Sequence, residues 1–412
     1  MMNISISSTN ASLTKRWSRK KGIFSMLSGS IYFVKLGGML IDGSQVNKLL
    51  KRISYMADRI TYREQTDRKN ILKLREVLNT LPPYVKDYFR AIDSTSTTKT
   101  RISYAYDIRV FFEFLKSQNP VYRNYEIRDF TLEDLDRVTA RDLEEYMEYL
   151  KLYETPSERK NTSPMNTNGL LGLKRKLSAL RSFYGYLFRQ EMIKTNPTVL
   201  IDMPKIHEKT IIRLDTDEVA ILLNYIENCG DKLTGKALSY YKKTRERDLA
   251  IVTLLLGTGI RVSECVGLDV EDVDFRNNGI RIVRKGGNEA VVYFGPEVEE
   301  ALRNYLEIRK GITPCAGHEH ALFYSIQRRR MTVRSVEDLV EKYASAVTTT
   351  KKITPHKLRS TYGTALYRET GDIYLVADVL GHKDVNTTRR HYAAIDEDRR
   401  KRAAGAVHLR KD

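Results

Sequence analysis

The feature that most restricts how this chain can fold is a change of hydrophobic pattern just after residue 200. From 84 to 204 the apolar residues recur at helical spacing. In Ser103 to Lys116 they are Tyr106, Val110, Phe111, Phe114 and Leu115. In Leu173 to Glu191 they are Leu173, Leu177, Leu180, Tyr184, Leu187 and Phe188. Thr131 followed by Asp134, and Thr139 followed by Asp142, are helix starts of the capping-box kind. Asn196-Pro197 and Met203-Pro204 break this pattern, and Lys205 to Arg213 reads as a linker. Beyond it the signals are mixed. Thr216-Asp217-Glu218-Val219 caps a helix, and Glu246 to Leu256 starts charged and becomes apolar on every side. Gly279 to Arg284 and Glu289 to Phe294 alternate as strands around Lys285-Gly286-Gly287-Asn288, a hairpin signal. From about Arg334 the pattern is helical again. At the other end, residues 45–83 form a charged helical segment through Ile53, Met56, Ile60, Ile71, Leu74 and Leu78, stopped by Pro82-Pro83. Residues 1–44 are rich in Ser, Gly and Lys without a sustained period, and read as a loose extension. The expected fold is mostly α with a small antiparallel β-sheet in the second half.

Charge narrows the partner. Lys and Arg total 70 against 52 Asp and Glu, a formal net charge of +18, which calls for a polyanion such as nucleic acid or an anionic membrane. No run of 18 apolar residues exists; Phe24 to Ile41 comes nearest and is broken by Gly29, Lys35, Gly37 and Gly38. Cys229, Cys265 and Cys315 are odd in number and widely spaced, neither a disulfide framework nor a metal-ligand pattern, and fit a reducing cytoplasm. Arg159, Lys160, Lys174, Arg175, Lys176 and Arg181 follow one another with no acidic residue between them. Lys174, Arg175, Lys176 and Arg181, on one helix, are therefore candidate phosphate contacts that would release counterions on binding. The alternative is a solvated helix face.

Four short patterns lie in the second half. Gly257-Thr258-Gly259-Ile260-Arg261-Val262-Ser263-Glu264 is a glycine-flanked turn with Arg261 and Glu264 three apart. Lys285 stands at the tip of the hairpin. In Thr354-Pro355-His356-Lys357-Leu358-Arg359, Thr354 can be the N-cap and Pro355 the first helical residue. His356 and Arg359 then share one face near a helix N-terminus, which favours anions. Leu380-Gly381-His382 is followed, ten residues after the histidine, by Tyr392. Taken singly each is ordinary: an Arg near a Glu is a surface pair, and a turn lysine is solvated. Their joint order gives them weight.

In that order and spacing, Arg261, Lys285, His356-x-x-Arg359, Leu380-Gly381-His382 and Tyr392 resemble the signature of the tyrosine recombinase family, the phage-type integrases and Xer-like recombinases. The resemblance implies an α+β tyrosine recombinase catalytic domain over 205–395, preceded by a helical, SAM-like core-binding domain over 84–204. It implies a basic C-terminal tail over 396–412 that packs on a neighbouring subunit; a tail touching DNA non-specifically is the alternative. It also implies double-stranded DNA as partner, a homo-tetramer on two DNA sites, an accessory DNA-bending or directionality protein, and no cofactor or metal. One interval departs. His382 to Tyr392 is one residue longer than in many members, which places His391 at the usual nucleophile position.

The chemistry agrees with those residue types. A phosphodiester is anionic, and its in-line transition state gathers charge on the non-bridging oxygens. Two guanidiniums, Arg261 and Arg359, can clamp those oxygens and stay charged, each supplying about 3 kcal/mol. A tyrosine hydroxyl, with a pKa of about 10, needs a base or a positive field to attack. His356 is the candidate base and His382 a hydrogen-bond donor to the phosphate. Lys285 can protonate the leaving 5′-oxygen. Glu264 is expected to orient Arg261 or a histidine. A covalent phosphotyrosine keeps the energy of the broken ester, so rejoining needs no ATP. The lack of a Walker-type loop or a two-metal carboxylate cluster agrees. The resulting expectation is a site-specific recombinase or integrase acting through a 3′-phosphotyrosyl intermediate, for a mobile element. The alternatives are Xer-type resolution of replicon dimers, a type IB-like topoisomerase, and a catalytically idle DNA-binding relative.

Overall fold

The computed structural model describes residues 6–7, 33–36, 39–42, 61–154, 165–206, 212–284, 287–382 and 384–385. It divides into two compact units, Met1–Val77 and Leu78–Asp412. The first contains three antiparallel strands in sequential order, β1 (Ile6–Ser7), β2 (Phe33–Leu36) and β3 (Met39–Asp42), with Phe33 opposite Asp42 and Leu36 opposite Met39. Paired strands thus stand inside the segment expected to be a loose extension. The overlooked signal was Gly37-Gly38 between two short apolar runs, a two-residue hairpin sequence. Helix α1 (Tyr62–Leu78) starts on reciprocal hydrogen bonds between Thr61 and Glu64 and ends before Pro82-Pro83. Val46 to Ile60, expected to begin this helical segment, lies outside the described residues.

The second unit opens with α2 (Val85–Ala91), α3 (Thr98–Gln118), α4 (Leu132–Asp136) and α5 (Ala140–Tyr149). A short hairpin, β4 (Leu152–Glu154) with β5 (Met165–Thr167), leads to α6 (Leu170–Arg189). Helix α6 packs on α2 and α3, and α5 packs on α3. Between them is an aromatic core in which Phe111 meets Tyr146 edge-on at 5.1 Å and Tyr184 at 6.2 Å. Both Thr–Asp capping boxes form, at Thr131/Asp134 and Thr139/Asp142. Along α6, Leu173, Leu177, Leu180, Tyr184 and Leu187 are buried at alternating steps of four and three, whereas Phe188, one step off that stripe, is exposed.

The rest of the unit comprises α7 (Thr216–Asn228), α8 (Gly235–Thr258) and α9 (Val262–Gly267), then β6 (Val273–Asp274), β7 (Gly279–Val283) and β8 (Glu289–Tyr293). These strands form one antiparallel sheet in sequence order. It is followed by α10 (Pro296–Lys310), α11 (Val333–Ala344), α12 (Pro355–Thr370) and α13 (Ile373–Leu380). Helix α8 is the hub, packed on by α7, α9, α10, α11 and α12. That placement explains why Ala250 to Leu255 is buried on every side. Helix α7 is capped by Asp215 in a reciprocal box with Glu218, so Thr216 is its first residue rather than its cap. The approach to α7 is pinned to α12, because the Leu214 amide donates to Thr361 Oγ1 at 3.0 Å. The fold is mostly α with small antiparallel sheets, and no helix among the described residues is long and apolar enough to cross a membrane.

Candidate active site

Two helix C-termini build the site. Helix α8 ends at Gly259, whose φ of +62° is the left-handed turn that glycine adopts without strain. A Cβ at Gly259 would lie 2.4 Å from the Tyr362 ring and 2.9 Å from Leu380, so the α8 terminus sits directly against the α13 terminus. Helix α13 ends in a Schellman turn. Gly381 is left-handed at φ +62°, its amide bonds Asp378 O at 2.8 Å, and the His382 amide bonds Ala377 O at 2.8 Å. The Leu380-Gly381-His382 pattern is thus a helix stop that sets the direction of the histidine backbone.

A helix C-terminus leaves carbonyls without amide partners and carries partial negative charge. Here arginines meet the last carbonyls, Asp378 O among them although it also accepts the Gly381 amide. Arg284, just after β7, donates Nη1 to Asp378 O and Nη2 to Val379 O, both at 2.9 Å. Arg359 donates to Leu380 O and, at 2.5 Å, to Gly259 O, and so ties the two helix ends together. Arg261 donates Nη2 to Gly381 O at 3.3 Å. Four consecutive carbonyls, the last three of α13 and that of Gly381, are therefore held by three guanidiniums from three parts of the chain.

Arg261 is further fixed by Glu264. That carboxylate accepts the Arg261 backbone amide at 2.8 Å and Nη1 at 2.9 Å. The Glu264 side chain is buried, whereas the Arg261 side chain is one-third exposed. Arg359 is only 4% exposed. Glu264 and Arg261 thus form a direct ion pair.

His356 lies in the first turn of α12 and is exposed, one turn before buried Arg359; Thr354 occupies the cap position without a side-chain capping bond. His382 is half-buried beside the Arg261 and Arg359 contacts. Lys285, His391, Tyr392 and the tail over 396–412 lie outside the described residues. Tyr362 is the described phenol at this junction. Burial raises its pKa, which makes it less ready to ionise and attack.

The helical-block cations fare differently. Lys176 is 5% exposed, with Nζ 3.0 Å from Asp107 Oδ1, and Arg175 pairs with the same carboxylate. Arg181 donates to Thr198 O at 3.1 Å and to Ile201 O, bracing the turn after α6. The phosphate-contact expectation is corrected for Lys176, whose charge is buried in an internal pair; Arg175 and Arg181 have internal partners, and Lys174 is exposed. Sequence reasoning missed Arg284 because it followed Lys285 beside it. A cation flanking a hairpin turn was the available signal, with a glycine ending each of two helices.

Residues 212–399 match the phage integrase family, a span that includes Arg261, Arg359, His382 and Tyr392. The chain belongs to the tyrosine recombinase family and is a DNA strand-transferring enzyme. It is 31% identical over 363 residues to tyrosine recombinase XerS of Lactococcus lactis subsp. cremoris, covering 81% of this chain and 96% of that one. It is also 31% identical over 361 residues to tyrosine recombinase XerC of Caldanaerobacter subterraneus subsp. tengcongensis, covering 84% and 92%. Among solved structures, the Tn1549 transposon integrase in complex with circular intermediate DNA shares the fold at a TM-score of 0.52 and 20% identity, over 74% of this chain and 93% of that one. A lambda integrase dimer bound to a COC′ core site does so at 0.52 and 17%, over 75% and 93%.

Proposed function

We propose that this enzyme cuts and rejoins double-stranded DNA at specific sites through a covalent ester between the Tyr392 phenolic oxygen and the 3′-phosphate of the cut strand. One observation carries the reading: Arg261, Arg359 and the His382 turn, far apart in sequence, meet where the ends of α8 and α13 touch. In the proposed step Tyr392 attacks phosphorus and the bond to the 5′-oxygen breaks. Arg261 and Arg359 stabilise the charge on the non-bridging oxygens, by about 3 kcal/mol each. His356 takes the phenolic proton, His382 donates a hydrogen bond to the phosphate, and Lys285 delivers a proton to the leaving 5′-oxygen. Attack by a different 5′-hydroxyl reverses the step and completes exchange. Four protomers on two DNA sites would supply the paired cuts.

Tyr392→Phe should bind DNA with unchanged affinity and form no denaturant-stable protein–DNA adduct, whereas His391→Ala should still form it. An adduct that persists in Tyr392→Phe and disappears in His391→Ala would move the nucleophile by one residue and defeat the assignment. For the biological role, a mobile element is supported by the separate N-terminal unit, and replicon-dimer resolution by the likeness to recombinases named Xer. Sequencing the DNA held in trapped adducts discriminates: element ends support the first, a single chromosomal site the second.

A further inference from the structure

Arg284 is the arginine at the α8–α13 junction to which the reaction above gives no task. Its backbone belongs to the hairpin: its amide donates to Asn288 O at 2.8 Å, and its carbonyl accepts from Gly287 N at 3.0 Å. Its side chain belongs to the helix end, with one guanidinium nitrogen on Asp378 O and the other on Val379 O. A single residue thus fastens the end of β7 to the helix end that carries His382. The fit depends on Gly381, because a Cβ there would stand 1.6 Å from Arg284 Nη1. Lys285 is the next residue in the chain.

We propose that Arg284 is a positioning residue that fixes the β7–β8 hairpin on the α13 C-terminus so that Lys285 meets the leaving oxygen. The proposal rests on the reading of Lys285 as proton donor. A hairpin joined to the body only through its strands can sway, and a misplacement of about 1 Å at a reacting group can lower a rate by roughly a hundredfold. Two parallel hydrogen bonds from a planar guanidinium to adjacent carbonyls restrict both sliding and rotation of the chain at Arg284. An ammonium at this position could hold one carbonyl well and would leave rotation open.

The test uses two DNA substrates, one ordinary and one with sulfur in place of the 5′-bridging oxygen at the cut. A thiolate leaves without being protonated, so this substrate bypasses the proton donor while still requiring the arginines and the nucleophile. Full-length Arg284→Gln should bind DNA within about threefold of the parent and cleave ordinary DNA roughly ten- to a hundredfold more slowly. It should recover to within a few-fold on the sulfur substrate, as Lys285→Ala should, and Arg284→Lys should fall between parent and Arg284→Gln on ordinary DNA. Should Arg284→Gln lose DNA binding, Arg284→Lys carries the same comparison. Rescue of Lys285→Ala without rescue of the Arg284 variant overturns the positioning role alone, as does ordinary cleavage at the parent rate. Failure of the sulfur substrate to rescue either variant overturns both the positioning role and the proton-donor reading beneath it.

Discussion

In the helical block, Arg175 and Lys176 converge on the one carboxylate of Asp107, which is 1% exposed. At the α8–α13 junction, Arg261, Arg284 and Arg359 converge on backbone carbonyls, and Arg261 is also paired with the carboxylate of Glu264. The first arrangement gives buried Lys176 a counter-charge and holds helices α3 and α6 together. The second orients charge and leaves it positive, since a carbonyl dipole directs a guanidinium without cancelling it. A buried cation is thus a brace or a tool according to its partner. Spacing along the sequence does not tell the two apart.

The largest effect expected from this contrast is on stability. Asp107→Asn leaves Lys176 buried without its counter-charge and should destabilise the protein by about 3–5 kcal/mol in urea unfolding. Asp107→Leu combined with Lys176→Met removes the two buried charges, leaves the half-exposed Arg175 to solvent and should recover most of that loss. A single variant that loses less than about 1 kcal/mol would mean that water reaches the pair, and the two regions would not differ as described. Next in size is Arg359→Lys. An ammonium cannot span the Gly259 and Leu380 carbonyls while offering a fork to phosphate, so cleavage should fall about 10²–10³-fold with a smaller change in stability. If this variant instead unfolds as readily as Asp107→Asn while each folded molecule cleaves normally, the junction is only another brace.

Glycine gives a third, smaller comparison. Gly381→Ala forces an alanine to φ +62° and pushes its Cβ onto Arg284, so it should lose about 1–2 kcal/mol and mimic Arg284→Gln in slow cleavage. Gly185→Ala, inside helix α6 with only Arg189 Nη1 at 3.6 Å, should gain about 0.4–1 kcal/mol. Loss of stability in Gly381→Ala with cleavage at the parent rate would show that Gly381 serves the helix end and nothing more.

These contrasts also mark what the sequence could disclose. The α3 and α6 stripes, both Thr–Asp caps and the β7–β8 hairpin were legible because each is a local period or a local hydrogen bond. The motif residues Arg261, Arg359 and His382 were legible as a set through their order. Their shared anchor was not, because it consists of α13 carbonyls, which every residue carries alike. The fate of Lys176 was hidden for a related reason: Asp107, its partner, lies 69 positions away on another helix. Strands β1–β3 are hard to read because each is short and the surrounding composition hides the Gly37-Gly38 hairpin sequence.

The smallest effect concerns a cation shared by carboxylates near the surface. Lys351 donates to Asp215 at 3.0 Å and to Glu218 at 2.6 Å at the start of α7, with the Asp215 side chain 59% exposed. The chemistry matches Asp107 with Lys176, but solvent screens it, so Lys351→Met should cost about 1 kcal/mol or less. The hydrogen bond from Lys351 holds the Asp215 carboxyl below its ordinary pKa, and the bond to Glu218 holds the Lys351 ammonium above its own. A depressed carboxylate stabilises above its unfolded pKa of about 3.9 and loses that contribution as pH falls through the folded value. A raised ammonium stabilises below its unfolded pKa of about 10.4 and loses the contribution as pH rises through the folded value. The melting difference between parent and Lys351→Met should therefore be flat from about pH 5 to 9 and shrink at both ends. A difference that grows on acidification would place the main role of Lys351 elsewhere than on these two carboxylates.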